Sequence, residues 1–269
     1  MTSWLRGVWR MARFVGVLGC ATIDGWRCRA RPGFLEDPHQ RANYLQYWAR
    51  RFLKCFNLTV TCNGLPPRTG LIASNHTSYL DIVALADTMP CAFVSKSEVS
   101  RWPVIGMLTS VAGTLFLDRE RKRAAHEVAE SFAPVVGVGL PVCFFPEGTS
   151  TAGDRVLPFR AALFEPAVSR GWIVTPVAVR YLLADGQAAK QAAYWGDDVF
   201  IAHVWRLLKT EQILAEVCFG EPLEGFESRR ELSTAAHGAV RGLLGLPGLE
   251  HAFDPVRKVG SADFGTHCE

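Results

Sequence analysis

Short apolar runs alternate with longer amphipathic stretches between residues 58 and 245. The short runs are rich in β-branched and aromatic residues and are bounded by turn-forming residues, a pattern typical of strands. They predict strands at residues 58–62, 70–74, 91–95, 113–117, 141–145, 173–179 and 213–219. The longer stretches repeat apolar residues at helical spacing. They predict helices at residues 78–87, 103–111, 119–136, 157–169, 201–209 and 228–244.

This alternation predicts an α/β fold. Strands that are apolar almost throughout are buried on both faces, so we expect a mostly parallel central sheet covered by helices on both faces. The α/β domain is predicted to span residues 58–245, after an N-terminal segment of residues 1–57. Residues 246–269 lack any periodicity and are expected to form a loosely ordered tail.

The N-terminal segment is basic and aromatic. It carries ten Arg or Lys residues against three acidic ones, a balance of +7, whereas the whole chain has a net charge of +3. We predict two amphipathic helices, at residues 3–23 and 39–56, that lie in a membrane interface and are attracted by anionic lipids. The second carries an apolar stripe formed by Tyr44, Trp48, Phe52 and Cys55. The alternative is that both helices simply pack on the α/β domain.

Composition narrows the possible partners. Apolar residues make up 49% of the chain and the mean hydropathy is +0.10, so we expect some apolar surface to serve a purpose other than the core. No stretch reaches the roughly 20 apolar residues that cross a bilayer. The run at residues 14–23 is followed by Asp24 and Trp26 where a signal peptide would have a cleavage site. Peripheral or monotopic membrane association is expected, and nucleic acid is not, because no base-reading motif is present.

Cysteine and histidine patterns indicate no metal. The eight cysteines form no CxxC pair and no zinc spacing, and we expect Cys143 and Cys218 to be buried in strands in a reducing compartment. The HExxH motif is absent and the seven histidines are scattered.

The candidate chemistry lies in residues 75–81, which read NHTSYLD. His76 follows a predicted strand and Asp81 falls near the start of the next helix, so the turn can bring them together. A carboxylate bonded to one imidazole nitrogen fixes the tautomer and stabilises the imidazolium formed when the other nitrogen takes a proton. We therefore interpret His76 as a general base. Asp81 could instead cap the helix, since Ser78-x-x-Asp81 is a capping-box pattern, and one oxygen could cap while the other holds the histidine.

The chain has no G-x-S-x-G nucleophile elbow, so the hydroxyl that His76 activates is expected to belong to a substrate. Four blocks in order resemble the glycerolipid (1-acyl-sn-glycerol-3-phosphate) acyltransferase family, whose bacterial archetype makes phosphatidic acid. They are NHTSYLD at 75–81, GTLFLDR at 113–119, FPEG at 145–148 and VTPVAV at 174–179. The resemblance implies transfer of an acyl chain from coenzyme A or acyl carrier protein to a lysolipid hydroxyl, at the cytoplasmic face of a membrane and without a further cofactor.

The candidate substrate-binding residues are Asn75, Lys96, Arg119, Glu147, Gly148 and Thr149. In the family, the position matching Arg119 binds the acceptor's phosphate, as suits a fork-shaped cation. The FPEG block also binds the acceptor, with a carboxylate for hydroxyl groups and a glycine for close backbone approach. Lys96 could stabilise the oxyanion of the tetrahedral intermediate, and an ordinary solvated lysine is the alternative.

One block departs from the family's commonest form. Ser150 and Thr151 stand where Arg and Ser are usual, which resembles the branch containing lyso-ornithine lipid acyltransferases. We slightly prefer 1-acylglycerol 3-phosphate as acceptor because Arg119 is retained, with Arg155 or Arg160 as substitutes for the missing arginine. Lyso-ornithine lipid is second. A non-catalytic lipid-binding homologue and a hydrolase that activates water remain as other classes.

Overall fold

A computed structural model describes residues 2–117 and 125–246. Within them, one sheet contains β1 (Leu58–Asn63), β2 (Leu71–Ser74), β3 (Ala92–Lys96), β4 (Leu115–Leu117), β5 (Val142–Phe144), β6 (Val174–Leu183) and β7 (Ile213–Phe219). The strand order is β1-β7-β6-β2-β5-β3-β4. Neighbouring strands are parallel except β6 and β7, which pair antiparallel, so β1 and β7 run against the other five.

The helices of the described residues are α1 (Ser3–Arg29), α2 (Pro38–Phe56), α3 (Leu80–Thr88), α4 (Ile105–Val111), α5 (Ala125–Gly137), α6 (Glu165–Arg170), α7 (Phe200–Lys209) and α8 (Arg229–Leu243). They cover both faces of the sheet. Ile72 of β2 joins a core with α2, α3 and α7, while its neighbours Leu71 and Ala73 join a core with α5, α6 and α8. All three are fully buried. The predicted fold class is confirmed.

Two predicted helices differ in extent. The helix expected at 157–169 is a 3₁₀ turn, Ala161–Phe164, followed by α6. Before that turn the backbone is extended at Arg160 (φ −73°, ψ 105°), and the N–H groups of Leu157 and Arg160 donate to Glu147 Oε2 and Pro146 O. The helix expected at 119–136 is described from Ala125 onward as α5. Its first residues, including Arg119, and the predicted tail from residue 247 lie outside the described residues.

Both N-terminal helices are present, and the first continues to Arg29. Asp24 does not end it, because its side chain turns to α2 and accepts a hydrogen bond from Trp48 Nε1 at 2.9 Å. The predicted stripe of α2 faces inward, with Tyr44 and Trp48 both buried, so α2 packs on the α/β domain. Phe56 at its end belongs to the same core as α3 and α7. Although α2 ends where the N-terminal segment was predicted to end, the segment is joined to the core.

Much of the N-terminal positive charge is used inside the molecule. Arg10, which is 8% exposed, donates to the backbone carbonyls of Leu208, Thr210 and Glu211. Burial lowers the pKa of Arg10. Arg6 Nε donates to Lys209 O at 3.2 Å. Arg41 of α2 donates to Leu35 O, just before α2, and to Ser110 O of α4. These three cations attach the N-terminal helices to the domain, so the charge balance overstates the attraction to an anionic surface.

Candidate active site

The predicted catalytic residues lie at the carboxyl ends of the central strands. Strands β2, β5, β3 and β4 are parallel neighbours, so the residues that follow them meet at one edge of the sheet. This is the edge where open α/β sheets bind ligands. His76 follows β2, the FPEG block follows β5, and Lys96 ends β3.

Asn75 extends the pairing of β2 with β6. Its Nδ2 donates to Val179 O at 2.9 Å, and its Oδ1 accepts from Val179 N at 2.8 Å. The side chain is buried. Asn75 therefore fixes the point at which the chain leaves the sheet towards His76, and its predicted contact with substrate stays a prediction.

The structure brings His76 and Asp81 into contact. His76 Nδ1 lies 2.8 Å from Asp81 Oδ2. The side chain of Asp81 is fully buried, whereas that of His76 is 23% exposed. A buried carboxylate makes Nδ1 the protonated nitrogen, which leaves Nε2 as the nitrogen with a free lone pair. Nε2 forms no hydrogen bond within the described residues.

One oxygen of Asp81 performs both of the predicted roles. Besides His76, Oδ2 accepts the backbone N–H groups of Thr77 at 2.8 Å and Ser78 at 3.0 Å, so the dyad contact and the turn into α3 share an atom. The other oxygen, Oδ1, accepts from Thr77 Oγ1 at 3.1 Å and from the Tyr181 hydroxyl at 2.7 Å. This dense set of donors holds the carboxylate in one orientation.

The loop after β5 holds the backbone of His76 on both sides. Glu147 Oε1 accepts from His76 N at 2.7 Å, and Thr151 N donates to His76 O at 2.9 Å. The second oxygen of Glu147 accepts from Leu157 N at 2.7 Å. Burial raises the pKa of Glu147, and the two N–H donors oppose that shift. Glu147 is thus engaged within the protein, and its hydrogen bond to an acceptor hydroxyl stays a prediction.

The imidazole of His76 stacks on the ring of Phe145, with centroids 4.2 Å apart and planes 19° from parallel. Phe145 is buried. The stack sets the plane of the imidazole, while Asp81 sets its rotation within that plane. Together they determine the direction of Nε2.

Gly148 makes room for a cation. Its φ of 78° favours glycine, and a Cβ built there would lie 2.6 Å from Cζ of Arg160. The Arg160 guanidinium therefore lies directly against the FPEG loop. Arg160 and Thr149 are exposed, and no carboxylate of the described residues pairs with Arg160. In this structure it is Arg160 that approaches Gly148 closely, and the predicted approach of the acceptor to this glycine stays a prediction.

Lys96 is exposed at the end of β3. Since β5 lies between β2 and β3, this residue is two strand spacings, or about 10 Å, from the end of β2. It forms no ion pair with another described residue. Arg119 follows β4, the next strand along, and lies outside the described residues.

An aromatic cluster around the buried His203 supports the turn of residues 75–81 from the side of α7. Tyr194 N donates to Thr77 O at 2.8 Å, and the Tyr79 hydroxyl lies 2.9 Å from His203 Nδ1. His203 is fully buried. Burial, with a further contribution from Arg206, lowers the pKa of His203. The ring is therefore neutral, and it shares one hydrogen with the Tyr79 hydroxyl at Nδ1.

Comparisons with known proteins identify the family of this chain. The acyltransferase family profile matches residues 58–180. The chain is 34% identical over 244 residues to the lyso-ornithine lipid O-acyltransferase of Pseudomonas aeruginosa, covering 88% of this chain and 93% of that protein. The chain belongs to the acyltransferase family. The predicted family is confirmed.

Two further members of the acyltransferase family resemble this chain. It is 32% identical over 181 residues to the 1-acyl-sn-glycerol-3-phosphate acyltransferase of Neisseria gonorrhoeae, covering 66% of this chain and 70% of that protein. Its fold resembles that of the crystal structure of the 1-acyl-sn-glycerophosphate (LPA) acyltransferase PlsC from Thermotoga maritima. The TM-score is 0.65 at 19% identity, over 91% of this chain and 97% of that chain.

The sequence did not predict the contacts that Phe145, Thr151, Arg160 and Tyr181 make in this acyltransferase. Phe145 and Thr151 lie within or just after the FPEG block, where the position next to a strand end was the available signal, and Arg160 was predicted only as a substitute for the missing arginine. Tyr181 lies just beyond the VTPVAV block, and nothing in the pattern connected it with Asp81. The described residues include no group of His, Cys, Asp and Glu side chains that could hold a metal ion.

Proposed function

We propose that this chain is a lysolipid O-acyltransferase with His76 as its general base. The observation that carries the proposal is the His76–Asp81 pair at the ligand-binding edge of the sheet, in a member of the acyltransferase family. The pair is complete as a base, and the chain lacks a nucleophile elbow. The substrate therefore supplies the attacking hydroxyl.

In the proposed reaction, the lysolipid hydroxyl donates its proton to His76 Nε2 as its oxygen attacks the carbonyl carbon of an acyl thioester. Asp81 stabilises the resulting imidazolium through Nδ1. The tetrahedral intermediate then collapses, the carbon–sulfur bond breaks, and the thiolate of coenzyme A or acyl carrier protein leaves. The proton on Nε2 passes to that thiolate, which restores the base.

For the acceptor, we favour lyso-ornithine lipid. A relative that is 34% identical over 88% of this chain is named for that substrate, and Ser150 stands where the commonest family form has arginine. The sequence alone slightly preferred 1-acyl-sn-glycerol 3-phosphate, for which the Neisseria gonorrhoeae relative is named. That substrate is the second candidate, because Arg160 lies at the FPEG loop and Arg119 follows β4.

We place the enzyme on a membrane surface through α1 alone. Along one side of α1 lie apolar residues that are each more than half exposed, namely Trp4, Leu5, Trp9, Val15, Ile23 and Trp26. Aromatic residues of this kind settle at the level of lipid headgroups. In the described part of the chain, no helix has the length and apolar character to span a bilayer. We propose that this surface is the cytoplasmic face, because the family resemblance implies an acyl thioester of coenzyme A or acyl carrier protein as donor.

The test is an acyl-transfer assay with the full chain and vesicles containing both lysolipids in competition. Radiolabelled acyl thioesters of coenzyme A and of acyl carrier protein serve as alternative donors. We expect a diacylated product, mainly from lyso-ornithine lipid. His76→Ala should reduce the rate by about a hundredfold or more while thermal unfolding stays unchanged.

Other outcomes assign the protein to another class. Release of free fatty acid without any diacylated lipid would identify a hydrolase. Vesicle binding with neither product would identify a lipid-binding homologue. Wild-type rates in folded His76→Ala would remove the direct-attack mechanism.

A further inference from the structure

Tyr181 reaches the catalytic pair from the strand β6. Its hydroxyl lies 2.7 Å from Asp81 Oδ1, and its side chain is buried in the same core as α3. Two residues earlier, Val179 makes both backbone hydrogen bonds to the side chain of Asn75. The strand β6 therefore contacts the NHTSYLD block at both of its ends, through its backbone at Val179 and through a side chain at Tyr181.

The hydrogen bond between Tyr181 and Asp81 has a definite direction. Burial and the neighbouring Asp81 carboxylate raise the pKa of Tyr181 well above its ordinary value. The hydroxyl therefore keeps its proton and donates it. Without it, Oδ1 of Asp81 would retain only the 3.1 Å hydrogen bond from Thr77 Oγ1. The carboxylate would then be less restrained in rotation and would carry more charge on its oxygens.

We propose that Tyr181 is a positioning residue for acyl transfer, which holds the Asp81 carboxylate so that His76 keeps its proton on Nδ1 and presents Nε2 to the acceptor. Its effect on the rate rests on the proposed function, whereas its effect on the imidazole does not. In this role Tyr181 touches neither the acyl donor nor the acceptor. Its contribution passes through Asp81.

A matched pair of variants isolates this role. Tyr181→Phe removes the hydroxyl from Asp81. Tyr44→Phe removes an equally buried hydroxyl that donates to Ala21 O at 2.7 Å, between α1 and α2. Both changes delete one buried hydrogen bond of similar length, so a general loss of stability would appear in both. Only the first alters the catalytic pair.

In the transfer assay, Tyr181→Phe should lower kcat about tenfold with little change in KM for either substrate. The acid limb of its kcat/KM profile should move to higher pH, because a carboxylate with one donor fewer holds the imidazolium proton more strongly. Tyr44→Phe should leave kcat and the pH profile unchanged. In an Asp81→Asn background, Tyr181→Phe should have almost no further effect on kcat, since both act on one contact.

A second measurement does not depend on activity. In NMR titrations, the imidazole resonances of His76 are assigned with His76→Ala. They should titrate at higher pH in Tyr181→Phe than in the wild type, and at the same pH as the wild type in Tyr44→Phe. An unchanged His76 titration, or additive kcat losses with Asp81→Asn, would overturn the inference. If the wild type transferred no acyl group, the proposed function would fail while the NMR comparison still decided the role of Tyr181.

Discussion

The backbone N–H of His76 donates to Glu147 Oε1 at 2.7 Å. This bond joins the NHTSYLD block to the FPEG block through two residues that are 71 positions apart. The loop after β2 and the loop after β5 are thereby held as one unit at the edge of the sheet. Thr151 adds a second connection by donating to His76 O. The conformation of the turn at residues 75–81 therefore depends on the FPEG loop as well as on its own residues.

Glu147→Gln should reduce kcat about tenfold to a hundredfold and destabilise the fold by about 1–3 kcal/mol. The amide can accept from only one of the two N–H groups of His76 and Leu157, so one buried donor loses its partner. Steady-state kinetics and denaturant unfolding would measure both effects. Glu165→Gln, which breaks the surface ion pair with Arg229, is the control and should be nearly silent. A rise in acceptor KM without a fall in kcat would instead indicate that Glu147 binds the acceptor.

Arg160→Ala should raise the KM for the lysolipid acceptor about tenfold and leave the KM of the acyl donor unchanged. The guanidinium lies against Gly148 and no described carboxylate pairs with it, so it is available to an anionic headgroup. The comparison variant is Arg155→Ala, since Arg155 is exposed and lies 4.0 Å from Asp154. Equal effects of both variants, or an effect of Arg155→Ala alone, would contradict this assignment.

Replacing Trp9 and Trp26 by serine should lower the bound fraction severalfold in vesicle sedimentation. Both side chains are exposed on α1, so the substitutions should cost little stability. Leu65→Ser is the control, because Leu65 is 84% exposed and lies outside α1. Raising the salt concentration should weaken binding only in part, since Arg6 and Arg10 are bonded to the protein. Unchanged binding of the double variant would remove α1 as the membrane-contacting helix.

The free energy of unfolding should fall as the pH decreases below about 6.5. The pKa of His203 is lowered in the folded state by burial and by Arg206, against a smaller opposing effect of Asp198. Below the ordinary histidine pKa the unfolded chain therefore binds a proton that the folded chain does not. His203→Gln should flatten this dependence, and His39→Gln, at the surface, should not. Identical pH profiles for His203→Gln and the wild type would contradict the prediction.

The sequence predicted most of the fold because the physics involved is local. Buried strands such as β2 are almost wholly apolar, and the helical spacing of α3 and α7 can be read from each segment alone. The same reasoning brought His76 and Asp81 together, since they are five positions apart in the chain and one turn joins them. It was wrong about the apolar stripe of α2, because periodicity shows that a helix has an apolar face and not what covers that face.

The sequence by itself determined the α/β class, the family and the contact between His76 and Asp81, all of which depend on patterns within short segments. Only the tertiary structure decided that Glu147 and Thr151 hold the His76 backbone, that Arg160 lies against Gly148, and that Tyr181 reaches Asp81. It also decided that Arg10 attaches α1 to the end of α7. The physical reason is the same in each case: a contact between separate segments of the chain depends on strand order, loop conformation and helix packing, which leave no periodic trace in the sequence.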